Sequence, residues 1–295
     1  MTEHLKISAR NAGQVELKKY CPRCAWYLLR LKKMPFQFGM PGVMFYLEQC
    51  EKAFILDYLA KHGHLPKSFG PFAKCTEPVD FPFRMTAMHE ATGVEVTAQA
   101  DMMLRNPDGT IALLDLKTAK VEGGGAEFHP QYEIQVTGYS WVTQEAGVGD
   151  VGSAGLIFCE IQHEEFKEDS LEYATESGIL VPFNFTAREV ELDFNRFSKC
   201  LKEMDRVWHE PRPPKGAENC KDCALLNRLF DFESNLRASD SLNVRISPRY
   251  RDAVITIEYL RALARSTPER VTKILDEDQV SWDQDGIWIH WDFSS

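Results

Sequence analysis

The sequence contains no run approaching the ~18 consecutive apolar residues of a membrane span, and Met1 to Ser8 carries no apolar leader core. A soluble, cytoplasmic protein that does not work on a membrane is the expectation. No stretch is low in complexity and no segment repeats at a fixed period, which argues against a disordered tail or a solenoid. Positive charge is also short: 34 Lys and Arg face 44 Asp and Glu, for a net charge of −10. That balance argues against a protein that coats nucleic acid by charge alone. It leaves room for a local basic strip beside acidic groups.

What is present is enough apolar material for a real core, 44% of 295 residues. Residues 1–235 read as one main domain and residues 236–295 as a small appended α+β segment. The patterning predicts a helix over 8–33 with Ser8 as its N-cap, and an amphipathic helix from Val43 to Lys61. Pro35 and Pro41 bracket a turn between them. In the second helix Phe45, Leu47 and Phe54 suggest a buried face. Residues 94–105 alternate as a strand, Asn106 to Gly109 turns, and 111–118 returns as a more fully apolar strand. A loop, a helix over 130–146, a strand over 153–162 and a long helix over 186–209 follow. Further on, 250–265 and 268–276 read as helical and Val280 to Trp291 as a hairpin.

Asp115 and Lys117 stand inside that apolar return strand, two residues apart and therefore on one face. Burying either charge without a partner costs several kcal/mol, about 3 or more. Folding the hairpin about its turn brings Asp101 opposite Leu114 or Asp115, so two carboxylates become cross-strand neighbours. A structural Asp–Lys pair that fixes strand register is one explanation. A hard divalent cation, Mg²⁺ or Mn²⁺, is another, because it relieves the repulsion between the acids. The lysine then places positive charge where an anionic transition state needs it, as phosphodiester hydrolysis does. Gln135 and Tyr139 are four apart on the next helix and share its face, with Gln131 one turn earlier.

This order resembles the PD-(D/E)XK nuclease superfamily, with Asp101 as the first strand acid and Asp115-Leu116-Lys117 as the (D/E)-x-K. The resemblance implies an α/β restriction-endonuclease-like core, a central mixed β-sheet flanked by helices. It also implies that the Leu116 carbonyl joins the carboxylates as a metal ligand. Gln135-x-x-x-Tyr139 is similar to the QxxxY motif of the RecB-like branch, which supports the active site or contacts the DNA backbone. That branch adds an acid or histidine from an early helix. Glu48 is the choice here and Glu51, one turn on, the rival, with Tyr46 near the place of the histidine. The implied activity is metal-dependent DNA hydrolysis, most simply as an exonuclease in repair, recombination or defence. The competing class is a non-catalytic module that keeps the fold and binds DNA ends or a partner. No helicase motif is present, so unwinding would come from a partner helicase or another repair or defence protein.

Eight cysteines occur, four of them in two CxxC pairs, Cys21/Cys24 and Cys220/Cys223, roughly two hundred residues apart. Four thiolates so spaced can close a tetrahedral Zn²⁺ site or hold a [4Fe-4S] cluster and join the chain's two ends. A redox CxxC would need only one pair and a thioredoxin-like setting that is missing. The arrangement resembles the AddB and CRISPR-adaptation nucleases, where cysteines before and after the core bind [4Fe-4S]. Those relatives divide them one and three, this chain two and two, so zinc stays open. Lys18, Lys19, Arg23, Arg30, Lys32 and Lys33 form a basic strip around the first pair, either a DNA path or a solvated helix face.

Overall fold

The structure is a computed structural model that describes residues 4–32, 42–119, 128–238, 241–246, 280–283 and 286–292. The chain divides into two compact units, Met1–Cys220 and Lys221–Ser295.

The first unit opens with a short strand, β1 (Lys6–Ser8), and one helical turn, α1 (Ala9–Ala12). Ser8 does cap a helix, accepting from the Asn11 N–H at 3.2 Å, but that helix is brief. A 3-10 turn follows, and α2 (Pro22–Leu31) begins only after Cys21. The expected single helix over 8–33 is therefore a strand and two helices. Pro22 at the first helical position explains the restart, since proline starts a helix well and continues one badly. α3 (Gly42–His62) matches its expected span, but its buried face is Glu51, Ile55 and Leu59. Phe45 and Phe54 are exposed, which corrects the face inferred from their hydrophobicity. Phe54 instead stacks on Phe185, rings 5.4 Å apart.

A 3-10 segment (Lys67–Lys74) leads to β2 (Met85–His89), β3 (Val94–Ala98), β4 (Met102–Arg105) and β5 (Ile111–Lys117). The expected strand over 94–105 is thus two strands, and they lie in different sheets. β3 sits between β1 and β2 in a three-stranded sheet, whereas β4 pairs with β5. A period of two runs unbroken through Val96, Ala98, Ala100, Met102 and Leu104, because alternation reports burial and not which sheet does the burying.

After β5 come α4 (His129–Glu145), β6 (Val151–Ile161), a short α5 (His163–Glu168), the small hairpin β7 (Ala174–Thr175) and β8 (Gly178–Ile179), then β9 (Phe183–Glu189) and α6 (Phe194–His209). Residues 186–189 belong to a strand and not to the expected helix over 186–209. That helix starts at Asp193, whose carboxylate caps the Arg196 N–H at 2.8 Å.

The central sheet runs β4-β5-β6-β9. β4/β5 and β6/β9 are antiparallel and β5/β6 parallel, so the sheet is mixed. Parallel neighbours need a crossover, which α4 supplies. Both faces are covered. Ile111, Leu113, Leu156 and Phe158 face one core with α4 and α6, while Ala112, Leu114, Leu116 and Ile157 face another with α3 and the 3-10 segment. Double burial is why β5 reads as a nearly continuous apolar run. Gly138 lets α4 seat closely, because a Cβ there would lie 2.6 Å from the Ala9 Cβ and 2.7 Å from the Phe197 ring.

In the second unit, α7 (Lys221–Ala238) precedes a three-stranded antiparallel sheet of β10 (Ser241–Ile246), β11 (Val280–Asp283) and β12 (Gly286–Asp292), ordered β10-β12-β11. The Val280 to Trp291 hairpin is present as β11 and β12. The turn at Pro35–Pro41 and the helices over 250–265 and 268–276 lie outside the described residues, as does Lys33. No helix among the described residues is long and apolar enough to cross a membrane.

Candidate active site

The site lies at the C-terminal end of β5, and alternation along that strand builds it. Asp115 and Lys117 share the face of Ile111 and Leu113, toward α4. Thr118, just past the strand, extends toward α3, where it donates to Glu51 Oε1 at 2.9 Å.

Toward α4, Asp115 is 2% exposed and ion-paired through Oδ2 with Lys117. Gln135 ties the pair down. Its Nε2 donates to Asp115 Oδ1 at 3.0 Å and to the Tyr139 hydroxyl at 2.8 Å, and its Oε1 accepts from Lys117 Nζ at 3.4 Å. The amide spends both donors and its acceptor within the site. Gln131, one turn earlier, points elsewhere and donates to the Arg10 carbonyl at 3.1 Å. The Lys117 ammonium also lies 4.5 Å from the centre of the Tyr132 ring, a cation–π contact.

Toward α3, Asp101 sits one residue before β4. Extending the β4/β5 register, in which Met102 pairs with Leu114, would set it opposite Asp115. Its Oδ2 accepts the Leu116 N–H at 2.9 Å and its Oδ1 accepts from Lys52 Nζ at 3.0 Å. Lys52 also donates to Glu48 Oε1 at 2.6 Å, one helical turn back. The two helix acids differ in setting. The Glu48 side chain is 37% exposed at the rim, whereas Glu51 is 3% exposed and its Oε2 has no hydrogen-bond partner.

Burial dominates the electrostatics. It pushes the Asp115 carboxyl up to about 6, with Lys117 pulling down and Asp101 pushing further up. Burial likewise raises Glu51, partly offset by hydrogen bonds from Cys159 and Thr118. It also raises the Tyr139 phenol, with the Asp115 charge adding to the effect, so this hydroxyl stays protonated. For Lys52 burial works against the charge, but Asp101 and Glu48 outweigh it and hold the ammonium above its usual range.

Four carboxylates, Glu48, Glu51, Asp101 and Asp115, thus share two ammonium groups, Lys52 and Lys117. Surplus acidic oxygen, with one buried carboxylate oxygen left unpartnered, is a donor set that suits a hard divalent cation. The sequence singled out Glu48, Asp101, Asp115, Lys117, Gln135 and Tyr139, and the fold brings all of them to this end of the sheet. It missed Lys52, Thr118 and Cys159. Lys52 was open to detection at four residues from Glu48, whereas Cys159 joins only through the parallel β5/β6 register.

The thiols make a second candidate centre. Cys21, Cys24 and Cys220 bring their Sγ atoms within 4.8 Å of one another, with Cys24 and Cys220 at 3.5 Å. Cys21 precedes α2 and accepts the Ala217 N–H at 3.2 Å, while Cys24 lies in the first turn of α2. Helix N-termini and N–H donors favour thiolate. Cys223 lies in the first turn of α7. No set of three or more carboxylates is drawn together as closely among the described residues. Around this centre α2 packs on α6, with the Trp26 indole donating to the Glu210 carbonyl at 2.9 Å. Of the basic strip, Lys18, Lys19, Arg30 and Lys32 are exposed, and the Arg30 guanidinium lies 4.4 Å from the centre of the Trp208 ring.

The family model of the PD-(D/E)XK nuclease superfamily matches residues 48–228, more than half of the chain. No curated protein matches the chain. Among solved structures, a chain from the crystal structure of SSO0001 aligns at 13% identity and a TM-score of 0.40, covering 72% of this chain and 80% of that one.

Proposed function

Because this chain belongs to the PD-(D/E)XK nuclease superfamily, we propose that it is a Mg²⁺- or Mn²⁺-dependent deoxyribonuclease, acting as an exonuclease in DNA repair, recombination or defence. One observation carries the reading: the buried Asp115 is paired with a half-buried Lys117 and both are locked by Gln135, while Asp101 is held at the same strand end by the Leu116 N–H.

In this reading Asp101, Asp115, the Leu116 carbonyl and one acid of α3 hold the ion. Glu51 suits that fourth place better than Glu48, because it is buried, beside Thr118, and has an oxygen without a partner. When bound, such an ion supplies an acidified water and neutralises charge on the scissile phosphate. Lys117 does the rest of the electrostatic work. Its ammonium stabilises the negative charge that develops on the phosphate oxygens and helps orient the attacking water. Gln135 and Tyr139 keep Asp115 and Lys117 in place, so little reorganisation is needed during the reaction. Tyr132 shields the lysine from one side.

The four cysteines Cys21, Cys24, Cys220 and Cys223 are proposed to hold a [4Fe-4S] cluster, with Zn²⁺ as the alternative. The three neighbouring thiols of the first unit support a bound metal. Absorbance near 400 nm with iron and sulfide analysis distinguishes the two, on the order of four irons per chain against one zinc. A DNA strand would approach along Lys18, Lys19, Arg23, Arg30 and Lys32, with any unwinding left to a helicase partner. The test of the exonuclease assignment is the product pattern on end-labelled single- and double-stranded DNA. Mononucleotides or short oligomers released from an end support it. Internal cuts in circular DNA would make the enzyme an endonuclease instead.

A further inference from the structure

The acid site contains a second lysine that the proposed chemistry does not use. Lys52 Nζ lies 3.0 Å from Asp101 Oδ1 and 2.6 Å from Glu48 Oε1, and its side chain is 30% exposed. Each Asp101 oxygen already has one partner, and Oδ2 accepts the Leu116 N–H at 2.9 Å. The Leu116 N–H is fixed in the backbone of the sheet, so Oδ1 is the oxygen that can change partner. An ammonium at 3.0 Å from that oxygen and a divalent ion bound to the same oxygen would repel each other by far more than thermal energy. The two cations therefore compete for Asp101 Oδ1.

Resting on the divalent-metal reading above, we propose that Lys52 is a resident counter-cation of Asp101 that a divalent ion must displace, so that it weakens and gates metal binding. α3 carries the means for the exchange. Glu48, Glu51 and Lys52 follow at i, i+3 and i+4 on one helix, so the lysine can let go of Asp101 while staying hydrogen-bonded to Glu48 at the rim. The burial gradient fits this division. Glu51 lies inside and Glu48 at the edge, so Glu48 works as a tether and the interior oxygens are left for the ion. Lys52 is then a positioning residue that acts through Asp101. It keeps the acids neutralised when no metal is bound and makes occupancy depend on a doubly charged competitor.

The test is titration of the full chain, its cysteine centre loaded, with Mn²⁺ followed by electron paramagnetic resonance. It uses wild type, Lys52→Met, Lys52→Gln, Lys52→Arg and Asp115→Asn, with melting curves to show that each is folded. The proposal expects a Mn²⁺ site that Asp115→Asn removes. Lys52→Met and Lys52→Gln should each tighten that site about ten-fold, and Lys52→Arg should restore wild-type affinity. Equal or weaker affinity in folded Lys52→Met and Lys52→Gln would overturn the proposal while leaving the metal reading intact. If wild type and both lysine variants lack any Asp115-dependent Mn²⁺ site, the metal reading itself fails, and this inference with it.

Discussion

The carboxylates at the end of β5 and the thiols around Cys21 are both clusters of potential metal ligands, yet the chain assembles them in opposite ways. The acids sit on or beside strands that the sheet fixes for its own reasons. Asp115 occupies a β5 position whose register with β4 and β6 is set by the apolar residues around it. Two lysines already neutralise part of its surroundings. The thiols instead join pieces far apart in sequence, Cys24 and Cys220 being 196 residues distant. Those pieces are also tied by the packing of α2 on α6, by the Arg196–Glu16 ion pair and by hydrogen bonds from Tyr20 and Trp26 to Glu203 and Glu210. The fold therefore positions the acid site, whereas the thiol site helps to position the fold. Substitutions at the acids should cost function with little loss of stability. Substitutions at the thiols should cost stability first.

That contrast can be broken at several points. Asp115→Asn should lower metal-dependent DNA cleavage by about 10³-fold or more while the melting temperature stays within a few degrees, because the amide keeps the side chain's shape and an oxygen beside Lys117 and removes a buried charge that Asp101 opposes. A collapse in stability would put Asp115 on the structural side. Cys24→Ser or Cys220→Ser should show the reverse, with loss of bound metal by elemental analysis and a melting temperature about 10 °C lower. Unchanged stability after verified metal loss would make the thiol centre functional and not structural.

Gln135→Leu tests the lock between the sheet and α4. Removing its three hydrogen bonds should cut cleavage by about 10- to 100-fold through misplacement of Asp115 and Lys117. A smaller effect would mean that the Asp115–Lys117 ion pair suffices to hold the geometry.

The smallest effect concerns pH. Burial raises the Asp115 carboxyl to about 6 in the folded, metal-free chain, above its ordinary unfolded value of 3.8. An acid with a raised pKa gives stability that is fully present below its unfolded value and lost as pH rises through the folded value. Metal-free wild type should therefore gain on Asp115→Asn by a few degrees of melting temperature as pH is lowered from about 7 to 5. No change in the gap over that window would show that Asp115 stays ionised throughout it.

How much of this could be read in advance depended on distance along the chain. Asp115 and Lys117 share a face by the two-residue period alone, and Gln135 and Tyr139 by the helical one, so both pairs were legible. Asp101 was legible as a neighbour of Asp115, although the strand assigned to it turned out to be two strands in separate sheets. The misread segment at 186–189 lacks any local signal for its true partner, since β9 is made by pairing with β6. The choice between Glu48 and Glu51 was hidden for a similar reason. α3 carries apolar residues nearly all round, and only docking against the sheet buries Glu51 and leaves Phe45 exposed. The CxxC pairs announced themselves by spacing, and only the fold shows the thiols of Cys24 and Cys220 side by side.

The central claim is that the Asp115–Lys117 pair marks a working hydrolytic site. Its most direct test is cleavage of end-labelled DNA with Mg²⁺ or Mn²⁺ by wild type beside Asp115→Ala, both shown to be folded. The account predicts degradation by wild type alone, abolished by a chelator. Equal degradation by the two proteins, or none by either with the metal bound at the acids, would contradict it.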